Sequence, residues 1–464
     1  MHAQPEYRLR PIPLLAGPVV MAIGAWLAAA GGLPAAACLT AGLTAWCAAW
    51  WMLDAAPHAI TSLIPLALLP LLGVLTPKEV AEAYGNPLIL LLAGGFMLAA
   101  ALEANGAHRR LALGMVSLFG GNSGQRLVYG FAFAAAAISM WISNTATTLM
   151  LVPVAMAIVK DYPERRLAAP LILAIAYAAS VGGLGTPIGS PPNLVFMQVY
   201  TQTSGTALGF SDWMRFGLPT VLLLVPAIAW WLGRGLADSP PARLPALGPW
   251  RPAERRVLGV FALVALAWVT RSEPFGGWKT WLGLGTANDA SVALLGVIAM
   301  ALTPSGDPGR PLLRWQDAER IPWGALILFG GGIALATAFE SSGLSDWVAH
   351  RLRGVVELPL LLQIAIIVAL VTALSEVASN TAAAVLLMPL LAAAAQAAEV
   401  DPALLMVPAV LAASCGFMLP VATAPNAIAF GTGEVCGRTM MRHGLAADLF
   451  GIAVITVVCW FVLG

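Results

Sequence analysis

Long apolar runs broken by short polar punctuation dominate the chain. No Asp, Glu, Lys or Arg occurs in the stretches 11–53, 55–77, 127–159, 167–211 or 402–433. Each stretch equals or exceeds the ~20 apolar residues that carry an α-helix across a bilayer. Shorter runs at 216–233, 257–270, 290–306, 321–339, 358–375, 377–398 and 449–464 each supply one more helix. The pattern predicts an all-α polytopic membrane protein with about 11 transmembrane helices.

Composition agrees. Charged residues make up 10% of the chain and hydrophobic residues 59%, against roughly 25% and 45–50% in soluble domains, so a soluble enzyme is excluded. A net charge of +1 argues against a nucleic-acid partner and a polybasic tail, and leaves lipid as the main surroundings. The five cysteines, Cys38, Cys47, Cys415, Cys436 and Cys459, show no CxxC pairing and read as small packing residues. Arg8 and Arg10 precede the first apolar run, which reads as a retained helix with a cytoplasmic N-terminus. In the segment 234–256, Arg234, Arg243, Arg251, Arg255 and Arg256 outnumber Asp238 and Glu254, which places that linker in the cytoplasm too.

An internal duplication organises the rest. The stretch 94–106, GGFMLAAALEANG, matches 331–343, GGIALATAFESSG, at seven of thirteen positions. Ser143-Asn144-Thr145-Ala146 then matches Ser379-Asn380-Thr381-Ala382, and Pro192-Asn193 matches Pro425-Asn426, in the same order and at nearly the same offset. The expected organisation is an N-terminal scaffold segment, 1–54, and a first repeat, 55–233. A cytoplasmic linker with a connecting helix, 234–289, leads to a second repeat, 290–464. An odd number of crossings per copy would invert one repeat relative to the other.

Polar side chains at membrane depth are costly, so a Ser-Asn-Thr cluster midway along an apolar run needs a protein- or water-lined setting. The run 127–159 is too long for one perpendicular helix and too short for two full crossings, which fits two half-length helices meeting at a re-entrant tip. Tips are expected at 143–145 and 379–381. Such a tip offers N-caps and free N–H groups to an anion, and hydroxyls and carbonyls to a small cation. Gly- and Pro-rich stretches at 185–193 and 420–426 read as helix breaks that free further carbonyls.

These motifs resemble the divalent anion/sodium symporter family, the sodium-coupled dicarboxylate, citrate and sulfate carriers. The resemblance rests on Ser143-Asn144-Thr145 with Thr147-Thr148, on Ser379-Asn380-Thr381, on Gly189-Ser190-Pro191-Pro192-Asn193, and on the stretch from Ser414 to Asn426. It implies two inverted repeats, a homodimer held by a scaffold domain, and elevator movement of a transport domain. It also implies a first Na+ site at Ser139, Ser143, Asn144 and the Gly189 carbonyl, and a second at Ser375, Ala378, Asn380 and the Ala422 carbonyl. Substrate carboxylates are expected on Asn144, Thr145, Asn380 and Thr381, with Ser190 and Thr423 nearby. Two positions depart from the family pattern. Ser375 stands where Thr is common and keeps the hydroxyl, whereas Ala424 replaces a proline ring bordering the substrate and so alters the pocket's shape.

Other polar residues read as peripheral. Glu376 has an apolar counterpart in the first copy, Met140, which favours a supporting role. Glu103 and Glu340 match across the repeat and read as helix-end residues. His2, His58, His108, His350 and His443 fall near run ends, as do Trp46, Trp50, Trp51, Trp230, Trp231 and Trp250, which read as interfacial anchors. Trp141 lies beside the first tip and is expected to pack the hairpin. The expected function is Na+-coupled symport of a C4 dicarboxylate such as succinate, malate or fumarate across a bacterial inner membrane. Two or more coupling ions and no organic cofactor are expected. The alternatives are a Na+-coupled carrier of sulfate or another oxyanion, and a Na+-independent dicarboxylate exchanger. No Ser/His pair, two-Asp pair or HExxH motif at membrane depth supports an enzyme.

Overall fold

A computed structural model describes residues 11–53, 55–119, 123–160, 162, 164–238, 240, 248–272, 276–345, 347 and 359–464. Arg8, Arg10, Arg243, His2 and His350, used above, lie outside them. The described chain is helical, with one isolated bridge between Pro304 and Pro311. Eight helices among the described residues are long and apolar enough to cross a membrane. The remaining apolar segments are shorter or broken helices, which is why the run count exceeds the number of full-length spans.

Two helices, α1 (Pro11–Ala30) and α2 (Ala35–Leu53), form an antiparallel pair ahead of the repeat. The first copy begins with α3 (His58–Thr61) and α4 (Leu63–Leu71), then α5 (Pro77–Tyr84), α6 (Pro87–Ala104) and α7 (Ala107–Phe119). Next comes a helix–tip–helix hairpin, α8 (Gly124–Ser139) and α9 (Asn144–Lys160). A broken pair, α10 (Ala168–Gly182) and α11 (Pro191–Ser204), and then α12 (Phe210–Leu232) complete it. After α13 (Pro252–Val269) and α14 (Gly277–Trp281), the second copy runs through α15 (Asp289–Leu302), α16 (Trp315–Ala318) and α17 (Trp323–Ser341). Its hairpin is α18 (Leu360–Ser375) and α19 (Asn380–Ala397), its broken pair α20 (Ala403–Ala412) and α21 (Ala424–Gly431), and its last helix α22 (Gly437–Leu463).

Local chemistry sets these boundaries. Thr76 and Glu79 form a reciprocal capping box at the start of α5. In the second copy Asp317 closes the start of α16 by bonding both the backbone and the side chain of Arg314. Asn86 caps α6 ahead of Pro87, whose missing N–H costs nothing in a first turn.

The duplicated glycines lie where the two copies interlock. A Cβ on Gly94 of α6 would come within 2.6 Å of the Ala293 side chain on α15. A Cβ on Gly331 of α17 would come within 2.8 Å of Ser62, between α3 and α4. Each copy thus inserts its glycine-bearing helix against the opening helix of the other, a closeness that only glycine permits. The hairpins and breaks are exchanged in the same way: α11 packs on α19, and α21 packs on α9. Behind them stands α10, buried continuously from Leu171 to Gly182 and packed against α8, α9, α12 and α21.

Candidate substrate and cation site

Both re-entrant tips are present, slightly displaced from the expected positions. The turns occupy residues 140–143 and 376–379, so Asn144-Thr145 and Asn380-Thr381 already form the first turns of α9 and α19. Ser143 is the reason on the first side: its Oγ accepts the Ala146 N–H at 3.3 Å, which makes it the cap and starts the helix at the next residue. The breaks also shift, to 183–190 and 413–423. Pro191-Pro192 and Pro425 open the following helices rather than interrupting them.

Four helices, α9, α11, α19 and α21, therefore begin at one place. A cavity of about 440 Å³ lies there, within the ~300–1,000 Å³ range of small-molecule sites. Asn144, Thr145, Ser190, Asn380, Thr381 and Thr423 all line it, together with Ala378 and Ala422. Among the described residues, its lining includes no Asp, Glu, Lys or Arg, and His58 is its one ionisable side chain. Each N-terminus carries about half a positive charge, although Pro191, Pro192 and Pro425 supply no N–H in the first turns of α11 and α21. Four N-termini amount to about +2, which favours a dianion with no Lys or Arg among the described lining residues.

The helices that end at the cavity supply the opposite polarity. On the first side, Ser139 Oγ donates to Asn144 Oδ1 at 2.7 Å and Thr186 Oγ1 donates to the Met140 carbonyl, tying tip to break. The Asn193 amide donates to the carbonyls of Gly183 (2.9 Å) and Thr186 (2.8 Å). A Cβ on Gly183 would lie 2.6 Å from Asn144 Oδ1, and one on Gly189 3.0 Å from the Met140 carbonyl. Ser139, Asn144 and Gly189 thus meet around one knot of oxygens. Ser143 caps the same tip but faces a different cavity.

The second side repeats the plan. Ser375 Oγ donates to the Ala413 carbonyl at 2.7 Å and lies 3.1 Å from Asn380 Oδ1. The Asn426 amide donates to the carbonyls of Gly416 and Leu419, both at 3.0 Å. Gly416 brings Ser375 and Ala422 together: a Cβ there would lie 2.9 Å from the Ser375 carbonyl and 3.2 Å from Ala422. Here a carboxylate makes the tie between tip and break. Glu376 accepts the N–H groups of Phe417 (2.6 Å), Met418 (2.9 Å) and Leu419 (2.9 Å), the supporting role expected for it.

Asn193 and Asn426 entered the sequence analysis as repeat markers and motif residues, with no role of their own. Both are fully buried, and both staple the two ends of a break. Their recurrence in the duplication was the available signal. Three further cavity residues, Trp51, Met52 and His58, come from outside the motifs. His58 and Trp51 correct the interfacial reading, and Trp51 is 1% exposed. His443 instead accepts from Trp231 Nε1 at 3.0 Å, and His108 lies 3.2 Å from the Leu102 carbonyl. Trp230 and Trp250 remain exposed, as interfacial anchors do. Cys47, Cys415 and Cys459 are buried packing residues, whereas Cys436 is exposed and Cys38 partly so. Trp141 packs the first hairpin as expected, stacked on Phe210 and Trp268 and edge-on to Phe261.

With this geometry in hand, comparison with known proteins is decisive. The sodium:sulfate symporter transmembrane region matches residues 10–464. The chain belongs to the divalent anion/sodium symporter family. Among its relatives, the sodium-dependent dicarboxylate transporter SdcS of Staphylococcus saprophyticus is 36% identical, covering 97% of this chain and 91% of that protein. SdcS of Staphylococcus aureus strain USA300 is 35% identical over the same shares. The crystal structure of the Alcanivorax borkumensis YdaH transporter superposes with a TM-score of 0.60 at 14% identity, covering 88% of this chain and 98% of that one, a likeness of fold. The protein is a multi-pass membrane protein of a transporter family, not an enzyme.

Proposed function

We propose that the protein is a secondary active transporter that carries a C4 dicarboxylate such as succinate, malate or fumarate together with Na+. The observation that carries this reading is the convergence of four helix N-termini and seven amide or hydroxyl side chains on one cavity whose described lining holds no Asp, Glu, Lys or Arg. Relatives named as sodium-dependent dicarboxylate transporters support it. Asn144, Thr145, Ser190, Asn380, Thr381 and Thr423 take the substrate. Ser139, Ser143, Asn144 and the Gly189 carbonyl hold one Na+; Ser375, Ala378, Asn380 and the Ala422 carbonyl hold another.

In this reading coupling follows from electrostatics. Asn144 and Asn380 each belong to both a cation site and the substrate site. Bound Na+ orients each amide and offsets the dianion's charge, so the anion binds well only to the loaded form. Cation and anion together cross with little net charge exposed to lipid.

The topology proposed for this function counts eleven crossings from a cytoplasmic start: α1, α2, α3 with α4, α6, α10 with α11, α12, α13, α15, α17, α20 with α21, and α22. The crossing that begins with α3 is third and its counterpart α15 is eighth, an offset of five. That odd number inverts the repeats and turns the hairpins in from opposite faces. Elevator movement of the hairpins and breaks in a homodimer of a bacterial inner membrane completes the proposal.

A second reading has one observation in its favour. His58 lines the cavity and offers an imidazole where a Na+-independent exchanger needs a basic group in place of Na+. Counterflow of labelled succinate separates the two: symport requires Na+ on both sides, whereas exchange runs in choline.

A further inference from the structure

The first tip is a wall between two cavities. Asn144 and Thr145 face the substrate cavity, whereas Ile142, Ser143 and Ala146 face a second one of about 320 Å³. Its other walls are Phe96, Ala99, Ala100, Glu103 and Ala104 of α6, with Asp317, Arg320, Ile321 and Pro322. The second tip has no such division, because Ser379, Asn380 and Thr381 all line the substrate cavity. No residue lines both cavities among the described residues.

Charge distinguishes them further. Among the described residues the substrate cavity is lined by no Asp, Glu, Lys or Arg, whereas the second cavity is bordered by Glu103, Asp317 and Arg320. Arg314 lies 2.9 Å from Asp317 and offsets its charge, and Glu103 and Arg320 are exposed. Arg320 is the one basic side chain among the described lining residues and balances Glu103 in formal charge. A cation meets a carboxylate, then small apolar walls, and then the Ser143 hydroxyl at the cation site of the first half.

We infer that the second cavity is a separate entrance for the coupling cation of the first half, with Glu103 the attracting charge and Arg320 its counterweight. This rests on the proposed function, and it adds that Na+ and dicarboxylate reach the first tip from different sides. A route of its own lets the cation occupy the tip while the substrate cavity is filled. A charge at the mouth raises the local cation concentration without touching the bound ion. Its influence is therefore screened by salt over about 8 Å at 0.15 M ionic strength.

The test uses purified full-length protein in proteoliposomes, reading the Na+ concentration for half-maximal succinate uptake. Glu103→Gln should raise that concentration about threefold at low ionic strength, an effect that choline chloride removes. Arg320→Gln should lower it, and neither should move the succinate KM at saturating Na+. A purely structural role would be indifferent to choline. A second measurement places a cysteine at Ala100 after replacing the exposed Cys436 and half-exposed Cys38 with serine. A thiol reagent there should weaken Na+ activation, and Na+ but not succinate should slow the labelling. Unchanged Na+ activation in Glu103→Gln, or protection of the Ala100→Cys site by succinate, overturns the separate entrance. If wild-type uptake is itself indifferent to Na+, the symport reading fails and takes the inference with it. A Na+-dependent wild type with an unaltered Glu103→Gln variant rejects the entrance alone.

Discussion

Asn426 gives the sharpest test of how the second break is held. Its side-chain amide is fully buried and bonds the carbonyls of Gly416 and Leu419, while its own Oδ1 is buried without a partner. Replacement by Ala strands two carbonyls and removes one stranded acceptor. At about 1–3 kcal/mol for each unsatisfied buried group, the net cost is about 2 kcal/mol. That is about a 30-fold loss in the population of the intact break. Because Gly416 packs Ser375 against Ala422, two residues of the proposed second cation site, the loss should appear as a higher Na+ concentration for half-maximal uptake and a weaker stabilisation by Na+ in thermal unfolding. Asn426→Asp discriminates the cause. If the residue acts as a donor, Asp faces two carbonyls with oxygen and is worse than Ala. If its Oδ1 were the group that holds the cation, Asp would match or improve on wild type. An Asp variant with wild-type or tighter Na+ dependence refutes the donor reasoning.

Other expectations follow from the same geometry. Asn144→Ala and Asn380→Ala should each lower succinate uptake about 10–100-fold, since each loses hydrogen bonds to charged groups, while size-exclusion profiles stay those of the folded protein. Gly183→Ala should raise the Na+ requirement about tenfold or more, because its Cβ would press on Asn144 Oδ1 at 2.6 Å. Gly114→Ala, with nothing within 4 Å of its Cβ, should be neutral in uptake and slightly stabilising. Trp141→Ala should lower thermal stability by about 1–3 kcal/mol through its lost ring contacts, and leave the Na+ dependence of the surviving protein unchanged.

Much of this was legible in the sequence, for a physical reason: lipid penalises polar groups so strongly that those retained inside apolar runs stand out. Ser143-Asn144-Thr145 and Ser379-Asn380-Thr381 were visible on that ground, and duplication removed the suspicion of chance. All six residues expected around the substrate line a single cavity. Boundaries were less legible. Ser143 and Thr423 cap the helices they precede, so part of each expected tip or break belongs to a first turn, and only hydrogen-bond geometry shows which part.

What escaped was tertiary. Trp51, Met52 and His58 reach the cavity from elements ahead of the tips, and no periodicity records that approach. Glu376 looked anomalous because Met140 stands opposite it in the duplication. The structure explains the pair: a hydroxyl bond from Thr186 to the Met140 carbonyl ties the first tip to its break, whereas in the second copy Leu419 stands where Thr186 does and a carboxylate takes over. The exposed Cys436 departs from the packing role that suits the three buried cysteines.

The central claim is that a site without Lys or Arg among its described lining residues holds a dianion because Na+ is bound beside it. Uptake of labelled succinate into proteoliposomes, compared in NaCl and in choline chloride at equal ionic strength, tests it most directly. The account predicts saturable uptake in Na+, competed by unlabelled dicarboxylate, and almost none in choline. Equal uptake in both media by demonstrably active protein would contradict it.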